Sequence, residues 1–165
     1  MPLQPAVPVG HLVWLLATRW RAAVDRELAP LGIPHSQYVF MASLRAMSAD
    51  GYRPSQRELA DFSGLDAVYI SKLAKALEAQ GFLARTPDAR DPRAVQLALT
   101  ASGRSTVDRA IGVVAGLQLR LLAPLGGPHD GRVGDLAGLL RTLLDGADVP
   151  VEPGTEPVPH DPEAP

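Results

Sequence analysis

The chain has no cysteine. That excludes disulfides, thiolate metal sites and thiol-based redox chemistry. Lysine is nearly absent too: the 16 basic residues include only Lys72 and Lys75, and the rest are arginine. Aromatic residues are scarce, at 5%. No apolar run approaches the roughly 18 residues that would span a bilayer. The start, Met1-Pro2-Leu3-Gln4-Pro5, lacks the charged segment of a secretory signal, so a cytoplasmic protein without membrane contact is expected. The four histidines, His11, His35, His129 and His160, show no His-x-His or His-x-x-x-His spacing, and no metal or other cofactor is expected. There is no phosphate-cradling glycine loop, no Gly-x-Ser-x-Gly elbow and no His-Glu-x-x-His motif, so nothing points to an enzyme.

Excess charge is also missing. The formal net charge is -2 over 165 residues, so overall charge does not mark a nucleic-acid binder. Its distribution is uneven, however. From Gly146 onward there are five acids, six prolines and no Lys or Arg, leaving the preceding chain at a formal +3. Such a tail cannot bury enough apolar area to offset the entropy of ordering it, and disorder is expected over 146–165. It is either a solvated extension or an acidic competitor for a basic surface. Residues 1–8 hold three prolines and read as a loose arm.

What is present centres on Pro54 to Gly103. Ser55 is followed three residues later by Glu58, a capping-box spacing that satisfies free amides at a helix start. The helix that follows runs to about Phe62 and buries Leu59 and Ala60. Gly64 suits the left-handed backbone of a tight turn, and Asp66 suits the N-cap of a second helix. In that helix Ile70, Leu73, Ala74 and Leu77 recur at i, i+3, i+4 and i+7, a core stripe. The opposite face carries Ala67, Val68, Tyr69, Ser71, Lys72 and Lys75. It is small and polar at its start and basic further on, which suits a major groove, where early side chains meet base edges and later ones phosphates. Gly81 ends the helix.

Two short β-like runs come next, from Phe82-Leu83-Ala84 and through Val95, Leu97 and Leu99. They bracket a turn rich in Pro and Asp. Arg85, Arg90 and Arg93 give this hairpin three guanidinium groups. A hairpin arginine can enter a minor groove, and Asp91 can orient Arg93 by a fork-like pair. Taken alone, Arg90 and Arg93 read equally as surface charges, with Asp91–Arg93 as a turn pair. Lys72 and Lys75 read alone as a solvated face. Ser55, Gln56 and Arg57 open the first helix, where free amides favour a phosphate, but a plain capped helix has the same sequence. Tyr69 either reads a thymine methyl or packs sideways.

The order helix, turn, helix, hairpin is a winged helix-turn-helix. The segment Asp66 to Gly81, then Phe82-Leu83-Ala84-Arg85, then Asp91-x-Arg93 and Leu99-Thr100-x-x-Gly103-Arg104 resembles the MarR family of bacterial transcription regulators. The resemblance covers roughly residues 10–145. Tyr69 stands where a threonine is common in that family. The family implies double-stranded DNA as partner, with repression the usual mode. It also implies a homodimer whose terminal helices intertwine, and release by a small aromatic or phenolic ligand bound where those helices meet the winged unit. The matching segments here hold His11, Trp14, Arg19, His35, Tyr38 and Met41. Read without the family, Trp14 and Tyr38 are ordinary core residues. Some relatives sense oxidants through cysteine, which this chain cannot do.

The flanking segments are helical. A stripe through Leu12, Val13, Leu16, Trp20, Ala23, Val24 and Leu28 predicts a helix from about Val9 to Leu28. Another is expected from about Ser36 to Met47. Thr100 caps a long helix to about Ala123, in which Gly112 and Gly116 lower propensity or admit a neighbouring helix closely. A last helix spans about His129 to Leu144. These helices are more apolar than a small domain requires, which motivates a second subunit. A bundle closed within one chain is the alternative.

The expected architecture is therefore mainly α with a small β-hairpin wing. It comprises a DNA-binding unit over about 36–99 and dimerisation helices over about 9–30 and 100–145. The expected function is sequence-specific DNA binding and transcriptional regulation. A winged-helix adaptor that binds protein and not DNA is the alternative. It would have no use for the wing arginines.

Overall fold

A computed structural model describes residues 8–88 and 95–146. The predicted arm (1–8, except Pro8), the tail beyond Gly146 and the wing residues Arg90, Asp91 and Arg93 fall outside the described residues. In order the elements are α1 (Val9–Leu28), α2 (His35–Met47), α3 (Gln56–Ser63), α4 (Ala67–Ala79), β1 (Leu83–Pro87), β2 (Val95–Leu99), α5 (Ala101–Leu122) and α6 (Gly131–Gly146).

Local chemistry explains most boundaries. The Ser55 hydroxyl accepts the Glu58 N–H at 3.2 Å, and the Glu58 carboxylate accepts the Ser55 N–H at 2.7 Å. This reciprocal box starts α3. Gly64, at φ 69°, closes α3 in the left-handed region. Asp66 Oδ1 then accepts from the Val68 and Tyr69 amides at 2.8 and 3.0 Å to open α4. Gly81, at φ 76°, ends the α4 segment. There Gly81 N–H bonds Glu78 O at 3.0 Å and Phe82 N–H bonds Leu77 O at 2.9 Å, a Schellman closure.

The sequence Leu-Ala-Pro-Leu-Gly occurs twice, at 28–32 and 122–126, and folds the same way each time. α1 and α5 each tighten into a 3₁₀ turn, Ala29–Leu31 and Ala123–Leu125, and stop at a left-handed glycine, Gly32 (φ 69°) and Gly126 (φ 89°). Proline withholds the amide that would continue the helix, and glycine accepts the reversal.

The hairpin is antiparallel, with Leu83 opposite Leu99 and Arg85 opposite Leu97. Its outer edge is not bare. Leu97 N–H bonds Pro54 O at 2.9 Å, and Ser55 bridges to Gln96. The linker before α3 thus serves as a third, minimal strand.

Two apolar clusters form the interior. The larger joins α2, α3, α4 and the hairpin through Phe40, Met41, Leu44, Leu59, Ile70, Leu77, Leu97 and Val107. The smaller joins α1 to α5 through Val24, Leu28, Ile33, Ala110, Val114 and Leu117. Phe82 packs against both. α5 therefore begins in the winged core at Val107 and continues into the second cluster. Ion pairs flank it: Arg45–Asp108 at 3.1 Å links α2 to α5, and Arg120–Glu27 links α5 to α1.

α5 is seated by a close approach. A Cβ at Gly103 would lie 2.0 Å from the Phe82 carbonyl oxygen. Gly103→Ala should therefore lower stability by about 3 kcal/mol or more, because the obstacle is backbone and cannot swing aside. Ser102→Ala, one residue earlier on an exposed position, should stay within about 0.5 kcal/mol of the parent. Urea midpoints of the two variants check this.

Candidate nucleic-acid interface

α4 separates its residues as its 3.6-residue period requires. Ile70, Leu73, Ala74 and Leu77 are buried. Val68, Lys72 and Lys75 are exposed and, at spacings of four and three, share one stripe. Ala67 is exposed at the first turn, and Ser71 is half-buried beside the stripe. Val68, an apolar side chain, is 64% exposed. The stripe covers about 10 Å of helix, and an α-helix about 10–12 Å across fits a major groove about 12 Å wide.

Tyr69 lies elsewhere. Its ring is half-buried and packs against the larger core, so of its two expected placements the sideways one describes this conformation.

At the start of α3, Arg57 is exposed and Gln56 half-buried. Ser55 is fully engaged, since its hydroxyl also donates to Glu58 Oε2 at 2.8 Å. The Tyr52 hydroxyl donates to Glu58 Oε1 at 2.5 Å. A phosphate approaching this helix end would meet the Gln56 and Arg57 amides and guanidinium, with a carboxylate close by. Periodicity alone does not disclose Tyr52, because it lies outside the helix it braces.

Arg85 is half-buried at the root of the wing. Its Nη1 donates to Glu78 Oε2 at 3.3 Å, and its Nε is buried without a partner. The pair ties β1 to the last turn of α4, a link that sequence spacing does not announce because a glycine turn intervenes. Gln96 Nε2 donates to Asp88 Oδ2 at 2.9 Å.

The six residues considered for a ligand pocket do not converge within one protomer. His11 and Trp14 stand in solvent on the first turns of α1, rings 5.9 Å apart, with Trp14 54% exposed. Arg19 is exposed. His35 and Tyr38 stack at 6.4 Å where α1 meets α2. Asp25 Oδ1 accepts the His35 backbone N–H at 2.7 Å. His11 is fourteen residues before Asp25, about 21 Å along the helix. Met41 is sealed in the winged core at 0% exposure. Burial pushes the His35 imidazole below 6.5, opposed by Asp25, and pushes the Tyr38 phenol above 10.0.

A helix-turn-helix with an exposed, basic second helix and a flanking hairpin defines the winged-helix class of DNA-binding proteins. Comparison with known proteins narrows this. A profile of the MarR family matches residues 34–95. An uncharacterised HTH-type transcriptional regulator of Bacillus subtilis, YdcH, is 33% identical over 110 residues, 67% of this chain and 75% of that protein. The HTH-type transcriptional repressor Rv2887 of Mycobacterium tuberculosis is 30% identical over 129 residues, 78% of this chain and 90% of that protein. The Staphylococcus aureus MepR–DNA complex superposes with a TM-score of 0.76 at 20% identity, covering 85% of this chain and 98% of that one. The chain belongs to the MarR family of transcriptional regulators, a family of DNA-binding proteins and not of enzymes. Among the described residues no helix is long and apolar enough to cross a membrane.

The capping box has a pH signature. The Tyr52 hydroxyl, then the Ser55 amide and hydroxyl, hold the Glu58 carboxyl below its ordinary 4.5. A depressed carboxyl contributes stability above its unfolded value and loses it as pH falls through the folded one. NMR titration of the Glu58 side chain should give a midpoint below 4.5. In Tyr52→Phe that midpoint should move back upward.

Proposed function

We propose that this protein is a cytoplasmic, sequence-specific repressor that binds a pseudo-palindromic operator as a homodimer. Each subunit sets α4 in a major groove. Ala67, Val68 and Ser71 meet base edges, and Lys72 and Lys75 meet phosphates. The wing arginines Arg90 and Arg93 reach the flanking minor groove, with Asp91 orienting Arg93; Arg57 meets the backbone, and Arg85 holds the wing at its angle. The observation that carries this reading is the exposed Val68–Lys72–Lys75 stripe, whose lysines pair with no acid among the described residues. YdcH and Rv2887 bear regulator and repressor names, which supports the same reading.

The dimer rests on a second observation. α6 has no buried residue, and Leu139, Leu143 and Leu144 are 66%, 57% and 73% exposed. The first half of α1 exposes Val9, Leu12, Val13, Trp14 and Leu16. Each such side chain gains about 1.5–3 kcal/mol on full burial. A second copy of the same two helices supplies matching apolar surface under two-fold symmetry. The division into a winged unit over about 36–99 and dimerisation helices over about 9–30 and 100–145 follows from this assembly, with the first turns of α5 shared. A small aromatic or phenolic ligand that binds where the two units meet would act by favouring a dimer with wrongly spaced recognition helices.

Selection from a random duplex library at physiological salt tests the proposal. It should enrich an inverted repeat with half-site centres about 34 Å apart. Affinity should be on the order of 10⁻⁸ to 10⁻¹¹ M. Lys72→Ala should weaken binding on all sequences alike and reduce the salt slope by about one. Failure to enrich any repeat would favour a winged-helix adaptor.

The double substitution Leu143→Asp, Leu144→Asp should shift the protein from dimer to monomer in sedimentation velocity. It should also lower operator affinity by about tenfold or more, since each half-site would then bind alone.

A further inference from the structure

We propose that a cleft at the root of the wing is a binding site for a small oxyanion, a phosphate or a carboxylate. It encloses about 230 Å³ between the C-terminal end of α2, the loop before α3, the end of β2 and the first turn of α5. Arg45, Arg53 and Arg104 line it, each from a different one of these segments, together with Ser48, Tyr52 and Leu99.

Three features of the cleft point to an anion. The first is charge. Asp108 pairs with Arg45 at 3.1 Å, Arg53 makes no hydrogen bond or ion pair to any described residue, and Arg104 spends only Nη1, on the Leu99 carbonyl at 2.6 Å. Two guanidinium charges thus share one concave surface without a carboxylate partner, which concentrates positive potential there. Glu58 does not line the cleft; its carboxylate accepts from the hydroxyl of Tyr52, which does. The second is the Ser48 hydroxyl. It is buried, lines the cleft and has no hydrogen-bond partner. A buried hydroxyl without a partner is costly; a turn of the Ser48 side chain into the cleft would let it donate to an oxyanion oxygen that also accepts from the arginines. The third is size. At about 230 Å³ the space exceeds what a single water needs and suits an anionic head group with a short body.

DNA is not the natural occupant. Leu99 pairs with Leu83 at the closed root of the hairpin, and Val95 pairs with Pro87 toward its tip. Four residues of strand put the cleft about 13 Å from the end that the tip extends. An anion held there would tie the α2–α3 loop and β2 to α5, the helix that joins the winged unit to the rest of the chain.

The test uses the full-length protein and inorganic phosphate as probe. Thermal unfolding is followed in 10 mM phosphate and in chloride of equal ionic strength, with acetate as the carboxylate arm. Phosphate should raise the midpoint by about 3 °C over chloride. Acetate matching phosphate would assign the site to carboxylates as well, and no acetate shift would restrict it to phosphates. In Arg53→Ala, whose side chain makes no hydrogen bond or ion pair to a described residue, the shift should vanish. In Ser48→Ala it should fall by at least half. Equal midpoints of the parent protein in all three salts would overturn the proposal, as would an Arg53→Ala protein that responds like the parent. A third overturning result is an Arg53→Ala protein that binds DNA more weakly in phosphate-free buffer while the parent shows no anion shift. The cleft would then be a DNA-backbone contact.

Discussion

The arrangement depends on one short contact, the first turn of α5 against the Phe82 carbonyl. Gly103 permits the approach because a Cβ there would stand 2.0 Å from that oxygen. Thr100 fastens the same spot three ways. Its N–H donates to Phe82 O at 3.0 Å, its hydroxyl donates to Gly81 O at 2.7 Å, and the Thr100 Oγ1 accepts the Gly103 amide at 3.0 Å. The end of the recognition helix, the root of the wing and the start of the long helix thus meet within a few residues. Phe82 extends the joint sideways by packing against both apolar clusters. α5, α4 and the root of the wing are thus held in one joint.

Much of this was legible in the sequence, because the signals are local. The Ser55–Glu58 box, the Gly64 turn, the Asp66 cap and the Ile70–Leu77 stripe each involve residues within one or two helical turns, and each forms as expected. The winged helix-turn-helix followed from these together with the two β-like runs, whereas the family came from a resemblance carried by Asp66 to Gly81, Phe82-Leu83-Ala84-Arg85, Asp91-x-Arg93 and Leu99-Thr100-x-x-Gly103-Arg104. What escaped was non-local or depended on which way a side chain turned. The pairing of Leu97 with Pro54 joins residues far apart in sequence, across two helices. Glu78 meets Arg85 only because a glycine reverses the chain between them. Tyr69 falls between core and groove on the helix wheel, and packing tipped it inward. The ligand residues were gathered by family segment, yet Met41 sits in the sealed core and Trp14 in solvent at the far end of α1. The boundary placed near residue 100 separated α5 from the winged unit, whereas Val107 belongs to that core.

The ionic contacts are secondary to these. Arg45–Asp108 and Arg120–Glu27 are solvent-accessible, and exposed pairs of this kind contribute about 0–1 kcal/mol each, while Arg85–Glu78 has its arginine half-buried. Their value is directional: each one crosses between elements that the apolar clusters already hold. The same composition leaves Lys72 and Lys75 as the lysines of the whole chain, both on one helix. Lysine's flexible point charge suits a phosphate whose position shifts with DNA sequence, while the planar arginine fork suits fixed partners.

The repeated Leu-Ala-Pro-Leu-Gly corner constrains how this chain can change over evolutionary time. α5 is indexed at its start by Gly103 and stopped at its end by Pro124 and Gly126. One inserted residue would leave the joint in place but swing everything after the corner, including α6, by about 100° around the helix axis. One lost residue would do the same in the opposite sense. Beyond the Gly103 joint, the length of α5 can change without turning α6 only by a near-whole number of helical turns, such as about seven residues (two turns) or about eleven (three turns). Length in α5 is thus a digital variable, counted in near-whole turns of the helix rather than in residues.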